Sequence, residues 1–200
     1  MRQHLRQSLV LAAVLILTVV ASTYAGDRRL QAVTFAQFNY VRSVAASMSH
    51  VYFATTEGII RYNKLQQRWE EPLTGTEAIR DEELMQVWAN TFDDKLYVRT
   101  DVGLYEYDLF LRHWYPITAL PSFDRSYKHV EPPDDLLPPV GENYFGQGKL
   151  VDRSGRNYRI TDIIADQSGD YWLGTWGHGA AQASTSSRQV EFLPFGLIQN

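Results

Sequence analysis

The chain has 200 residues and no cysteine. That excludes disulfides, Cys-ligated zinc, iron–sulfur clusters and thiol catalysis together. It also excludes the lipid-bearing cysteine of a bacterial lipoprotein. A basic surplus is missing too: 19 Lys and Arg stand against 23 Asp and Glu, a formal net charge of −4. Phosphate backbones favour a basic face, so nucleic acid is not an expected partner. The acids are scattered and make no acidic tail. Long apolar runs are absent but for one, residues 9–20, LVLAAVLILTVV. It is shorter than the ~20 residues a membrane-spanning helix needs. Two catalytic signatures are missing as well. No Gly-x-Ser-x-Gly elbow occurs, and Gly146-Gln147-Gly148 lacks the Gly-Lys-Ser/Thr that completes a phosphate loop.

The one apolar run has a context. Arg2, His4 and Arg6 precede it, and Ser22-Thr23-Tyr24-Ala25 supplies small residues after it. Residues 1–25 read as a secretory signal peptide, with an uncleaved anchor as the alternative. The expected compartment is periplasmic or secreted. Export without cysteine points towards a bacterial envelope. Removal of Arg2 and Arg6 with the leader makes the remaining chain more acidic. Stability then rests on packing, for which 44% hydrophobic and 13% aromatic residues suffice.

What the chain does have is a repeat. Residues 51–62 read VYFATTEGIIRY and residues 96–107 read LYVRTDVGLYEY. Thr55 matches Thr100, Gly58 matches Gly103, Tyr62 matches Tyr107 and Trp69 matches Trp114, each 45 residues apart. A third copy, YWLGTWGHGAAQ at residues 171–182, has Thr175 in the Thr position. Short β-rich runs separated by turn residues at this period predict propeller blades of four antiparallel strands. The fold class is therefore all-β, with about three to four blades. They are expected at residues 40–76, 84–118 and 143–192, after a lead-in at 26–39. Residues 143–159 offer two short strands around Asp152-Arg153-Ser154-Gly155. Residues 77–83 are a short charged helix or a loop between units. A Pro-rich insert at 116–139 interrupts the pattern, because proline cannot donate to a sheet ladder.

Residues 160–179, ITDIIADQSGDYWLGTWGHG, carry a resemblance. This segment resembles the two-component regulator propeller repeat, whose pattern is I-x-D-I-x-x-D-x-x-G-x-x-W-x-G-T followed by a glycine turn. The first two units keep the Thr and Gly positions but lack the Asp-x-x-Gly turn. The resemblance implies structural roles for Asp166, Gly169, Trp172, Gly174, Thr175, Gly177 and Gly179. Asp166 would accept amides of its own turn and Gly169 would take positive φ. Trp172 would wedge between blades, and Gly174 would leave room beside a crowded centre. Propellers close with about four to eight blades, so an incomplete or split ring is expected. The implied function is that of a sensor ectodomain: a non-enzymatic binding module.

Candidate chemistry is sparse. Trp176 and His178 lie in a glycine turn and are the candidate ligand-binding residues. The bland reading of His178 is a solvated turn histidine, since no second ligand stands at metal spacing. His50, His113 and His129 are scattered. Asp166 and Asp170 lack the alternating oxygen ligands of a calcium loop. The pairs Glu82-Glu83 and Asp134-Asp135 read as solvated charge, because glycosidases need two carboxylates placed by the fold on opposite sides of a sugar. Most of Trp69, Trp88, Trp114, Trp172 and the 12 Tyr are expected in blade cores, with Trp176 near the surface. No catalytic residue, metal or cofactor is expected. The expected partners are a glycan, peptide or protein ligand, further propeller blades, or a membrane signalling protein. A carbohydrate-active enzyme on a propeller scaffold and a purely structural envelope scaffold are the alternatives.

Overall fold

The computed structural model describes residues 38–73, 79, 82–93, 95–122 and 142–195. The leader, most of the lead-in, most of residues 77–83 and the greater part of the Pro-rich insert lie outside the described residues. The rest is all-β. The first four-stranded sheet contains β1 (Val41–Ala46), β2 (His50–Thr55), β3 (Ile59–Asn63) and β4 (Arg68–Trp69). The second contains β5 (Leu84–Ala89), β6 (Leu96–Thr100), β7 (Leu104–Asp108) and β8 (His113–Ile117). A three-stranded sheet follows, with β9 (Tyr144–Gly146), β10 (Lys149–Val151) and β11 (Asn157–Tyr158). The last four-stranded sheet contains β12 (Ile160–Ala165), β13 (Tyr171–Thr175), β14 (Ala180–Ser184) and β15 (Gln189–Leu193). All neighbours in each sheet are sequential and antiparallel, the strand order of a propeller blade. The four-stranded sheets are blades 1, 2 and 3.

The expected third blade at 143–192 divides in two. Residues 144–158 form their own sheet, of three strands rather than two, because Gln147 and Gly148 adopt positive φ and close an extra hairpin.

The repeated threonine has one job in every blade. Thr55, Thr100 and Thr175 are buried at the end of the second strand. Each donates its backbone N–H to the carbonyl across the turn, that of Gly58, Gly103 or Gly179. The Thr55 and Thr175 hydroxyls donate to the same carbonyls at 2.7 and 2.8 Å, whereas the Thr100 hydroxyl lies 3.2 Å from the Gly103 carbonyl and donates to Glu82 Oε2 at 2.6 Å. A buried β-branched residue that also pins a turn satisfies strand and turn at once.

The turn after the first strand repeats as well. Ser47, Asn90 and Asp166 each directly follow that strand. Ser47 Oγ accepts from the His50 amide at 3.1 Å and Asn90 Oδ1 from the Phe92 amide at 3.2 Å. Asp166 Oδ1 accepts from the Ser168 and Asp170 amides at 2.9 and 3.1 Å. All three first strands also carry a bulge at the same place, between Val41 and Ser43, Leu84 and Gln86, and Ile160 and Asp162.

The order of blades in space is not their order in sequence. Blade 1 lies between blades 2 and 3. One core joins Val51, Phe53, Ile60 and Tyr62 of blade 1 to Ile164, Trp172, Ala180 and Leu193 of blade 3. A second joins the other face of blade 1, through Tyr52, Ala54 and Ile59, to Val87, Leu96, Val98 and Trp114 of blade 2. A third packs Phe145, Leu150 and Tyr158 on the far face of blade 3, against Ile163 and Leu173. The spatial sequence is thus the three-stranded sheet, blade 3, blade 1, blade 2.

The bulges stitch these faces together. Asp162 Oδ2 accepts the Val44 amide of blade 1 at 2.7 Å, and Ser43 Oγ accepts the Val87 amide of blade 2 at 3.3 Å. In each case the bulge side chain of one blade satisfies a buried amide in the next blade's first strand, a group that would otherwise be orphaned.

Candidate binding cleft

The residues of the 160–179 motif are engaged in holding the fold. Asp166 Oδ2 accepts the Trp172 indole N–H at 3.1 Å, so turn and wedge are one unit. Trp172 is buried, and its ring centroid lies 5.6 Å from that of Tyr62 in blade 1. Gly169 adopts φ 83°. Gly174 faces the first strand of blade 1, and a Cβ there would lie 2.5 Å from Val41 Cγ1. The Gly177 and Gly179 amides both donate to the Asn39 carbonyl at 2.9 Å.

A second copy of this unit lies immediately upstream. Residues 152–158, DRSGRNY, match residues 166–172, DQSGDYW, at Asp, Ser, Gly and the aromatic. Asp152 Oδ1 accepts the Ser154 and Arg156 amides at 2.8 and 3.0 Å, and Asp152 Oδ2 accepts the Tyr158 hydroxyl at 2.8 Å. Tyr158 takes the place of Trp172, wedging the three-stranded sheet onto blade 3. The Ser154 hydroxyl, the Arg156 amide and the Tyr158 hydroxyl hold the Asp152 carboxyl well below the usual carboxylate range.

The two candidate ligand residues separate. Trp176 is 42% exposed, in line with expectation, but it bridges to Tyr40, and the two rings meet edge to face at 5.2 Å. Its turn grips the entry to blade 1. His178 is exposed, as a turn histidine would be, but its ring is also packed. Its ring stacks on Tyr158 at 4.2 Å and meets the edge of Phe192 at 4.7 Å. Burial, then the Arg156 cation, pushes its pKa below the ordinary histidine value, against an opposing pull from Asp152.

Phe192 leads from His178 to a cleft. A concavity of about 570 Å³ lies between the start of the three-stranded sheet and the outer strands of blade 3. Glu142, Asn143 and Arg153 form one wall, with Gln182, Arg188, Glu191 and Phe192 on the other. Asn143 spans the junction, donating through Nδ2 to the Val190 carbonyl at 3.0 Å while its Oδ1 accepts the Arg153 amide at 3.1 Å. Arg153 Nη2 pairs with Glu142 at 2.8 Å. The walls therefore offer amide donors and acceptors, both signs of charge and one aromatic ring. Among the described residues no group of three or more His, Asp or Glu is placed to hold a metal ion. Among them, too, no helix is long and apolar enough to cross a membrane.

No family model matches the chain, and no curated protein matches it. Solved structures do. One is the extracellular domain assigned to the hybrid two component system BT4673 of B. thetaiotaomicron. It is 17% identical, with a TM-score of 0.31, and the match covers 80% of this chain and 23% of that one. Another is the extracellular domain assigned to the hybrid two component system BT3049 of the same organism. It is 15% identical with a TM-score of 0.29, covering 78% of this chain and 24% of that one. A third is PorZ, a bacterial surface component of the type-IX secretion system of Porphyromonas gingivalis. It is 14% identical with a TM-score of 0.31, covering 78% of this chain and 34% of that one. The chain thus spans about a quarter to a third of the length of these three structures.

Proposed function

We propose that the chain is a non-enzymatic, extracytoplasmic binding module built on propeller blades, of the kind that serves as a sensor ectodomain. One observation carries the reading: a polar cleft whose walls belong to two separate sheets, so that a ligand seated there would tie one sheet to the other. The ligand class that fits is a short glycan or an extended peptide, which matches amide and charged groups along the walls and lays one apolar face on Phe192. The leader at residues 1–25 supports a periplasmic or secreted site of action. Screening the chain against glycan and peptide arrays tests this, followed by titration of the best hit against Gln182→Ala and Glu191→Ala variants. Loss of affinity in both variants with unchanged melting supports the cleft. Binding that neither variant weakens removes it.

A second reading rests on one further fact. Glu142 and Glu191 line the same cleft, as the two carboxylates of a glycosidase would. Turnover of a bound glycan, abolished in Glu191→Gln while binding persists, would make the protein a carbohydrate-active enzyme instead.

A further inference from the structure

Blade 3 leaves a strand edge open. Its outermost strand, β15, has five residues and pairs with β14 on one side. The Val190 carbonyl is turned away from β14, since it accepts the Asn143 Nδ2 amide at 3.0 Å. In an antiparallel strand the N–H and C=O of one residue point the same way, and that direction alternates along the strand. Val190 and Phe192 therefore face outward, while Gln189, Glu191 and Leu193 serve the ladder to β14. Among the described residues no hydrogen bond reaches the Val190 N–H, the Phe192 N–H or the Phe192 C=O. These groups border the cleft, because Gln189, Val190, Glu191 and Phe192 line it in unbroken succession.

The other blades blunt the same edge. Each third turn has one positive-φ residue, Gln67 in blade 1, Arg112 in blade 2 and Arg188 in blade 3, and these align the outer strands. Pro116 stands four residues after Arg112, as Phe192 stands four after Arg188, and it offers no N–H. Blade 1 keeps only the two residues Arg68–Trp69 as an outer strand, with an isolated bridge at Leu73. Proline and shortness are two usual ways of protecting an edge. Blade 3 uses neither. Its outer strand reads QVEFL, with Glu191 as the one charged residue, and Pro194 comes only after it.

We propose that the cleft takes an extended peptide segment, which joins blade 3 as a fifth strand along β15. This occupant rests on the reading of the cleft as a binding site and narrows its two ligand classes to one. A strand presents its outward groups at every second residue, about 6.6–6.8 Å apart. An extended peptide carries complementary N–H and C=O groups at the same interval, and a glycan has no such ladder. Asn143 already forms one rung, since its side-chain amide bonds the Val190 carbonyl as a neighbouring strand's N–H would. The Val190 N–H and both groups of Phe192 are left for the peptide. Side chains add selection. The Phe192 ring lies on the face towards Tyr158 and His178, so an apolar peptide residue fits beside it. Arg188 and Glu191 line the cleft and make no ion pair among the described residues, so peptide charges of both signs find a partner.

The test selects random linear peptides, displayed on phage, against the immobilised chain and measures the best one by calorimetry. Its backbone amides are then N-methylated one at a time. Strand addition gives an alternating pattern: methylation at every second residue weakens binding at least about tenfold, and at the residues between it has little effect. In the protein, Val190→Pro removes an outward N–H and leaves the ladder to β14 intact, as an edge strand tolerates. A thermal melt verifies folding, and Val190→Ala controls for the lost side chain. The expected loss is at least about tenfold in Val190→Pro and less than about threefold in Val190→Ala. The N-methyl scan uses the unaltered protein, so it decides even where Val190→Pro does not fold. No enriched peptide overturns the proposal, whether or not a glycan binds. So does a peptide whose N-methyl analogues show no alternation, or one whose affinity a folded Val190→Pro leaves unchanged. If Gln182→Ala and Glu191→Ala still weaken that peptide, the cleft stands as a binding site and strand addition alone is lost. A concentration-dependent dimer that Val190→Pro abolishes, without peptide binding, also overturns it and assigns the edge to a second copy of the chain.

Discussion

Single atoms decide two properties of this molecule. At Gly174 the absent Cβ is what lets blade 1 approach blade 3, since an added methyl would lie 2.5 Å from Val41 Cγ1 and 3.1 Å from Val44 Cγ2. Both neighbours are short, β-branched and buried, so neither can swing aside. Gly174→Ala is expected to cost about 2–3 kcal/mol, the scale of core overpacking, read as a lower urea midpoint with unchanged slope. Gly155→Ala is a useful control: nothing lies within 4 Å of its Cβ, but φ is 84°, so only backbone strain of about 1 kcal/mol is expected. At His178 the proton count matters. Its folded pKa is depressed below the ordinary value of 6.5, so the folded state binds fewer protons than the unfolded chain near that pH. The stability that burial of the neutral ring beside Arg156 contributes is then complete above pH 6.5 and is lost as pH falls through the folded pKa. The melting temperature is expected to fall between pH 7 and 5, and to fall less steeply in His178→Phe, which keeps a ring between Tyr158 and Phe192 without a titrating group. Equal slopes in the two proteins would contradict this assignment.

Among elements, the first strands are where blades are joined. Val44 is buried, and its amide has the Asp162 carboxylate as acceptor. Asp162→Ala strands that donor and is expected to cost about 1–3 kcal/mol, with faster hydrogen exchange at the Val44 amide. Ser43→Ala removes the longer bond to Val87 and should cost less. The sequence showed which strands exist but not these joints. The Thr–Gly spacing was legible because a second strand and the turn after it are local, and Thr55, Thr100 and Thr175 each donate a backbone N–H to a carbonyl three or four residues on, whereas the bond from the Thr100 hydroxyl to Glu82 is long-range and was not legible. The Asp position of the motif was only partly legible. Ser47 and Asn90 replace Asp166 with different chemistry but the same acceptor role, so a letter-by-letter comparison reads the turn as lost. The stack on His178 was not legible at all, since Tyr158 and Phe192 come from two different sheets. The cleft was hidden for the same reason, its walls being set by how β9–β11 packs on blade 3.

At the scale of the whole molecule, the order three-stranded sheet, blade 3, blade 1, blade 2 means that the chain returns to its own beginning. The lead-in residue Phe38 is fully buried, with its ring 4.8 Å from that of Phe195. The Asn39 carbonyl is held by two amides of blade 3. A protease site introduced between residues 122 and 142 is therefore expected to yield two fragments that co-elute in native buffer and separate in urea. Fragments that part without denaturant would show that the interface between blades 1 and 3 cannot hold alone. Periodicity cannot reveal this arrangement, since a repeat reports what each blade is made of and not which blades touch.

The same return has a consequence in time. Phe53 and Trp172 share a core yet stand 119 residues apart. At synthesis rates of about 5–20 residues per second, one emerges roughly 6–24 s before the other. For that interval the apolar face of Val51, Phe53 and Tyr62 has Trp69 of its own blade packed on it but nothing from blade 3. Blade 1 is thus made well before the blade 3 strands that cover it, so aggregation should compete with folding chiefly while the chain is still arriving.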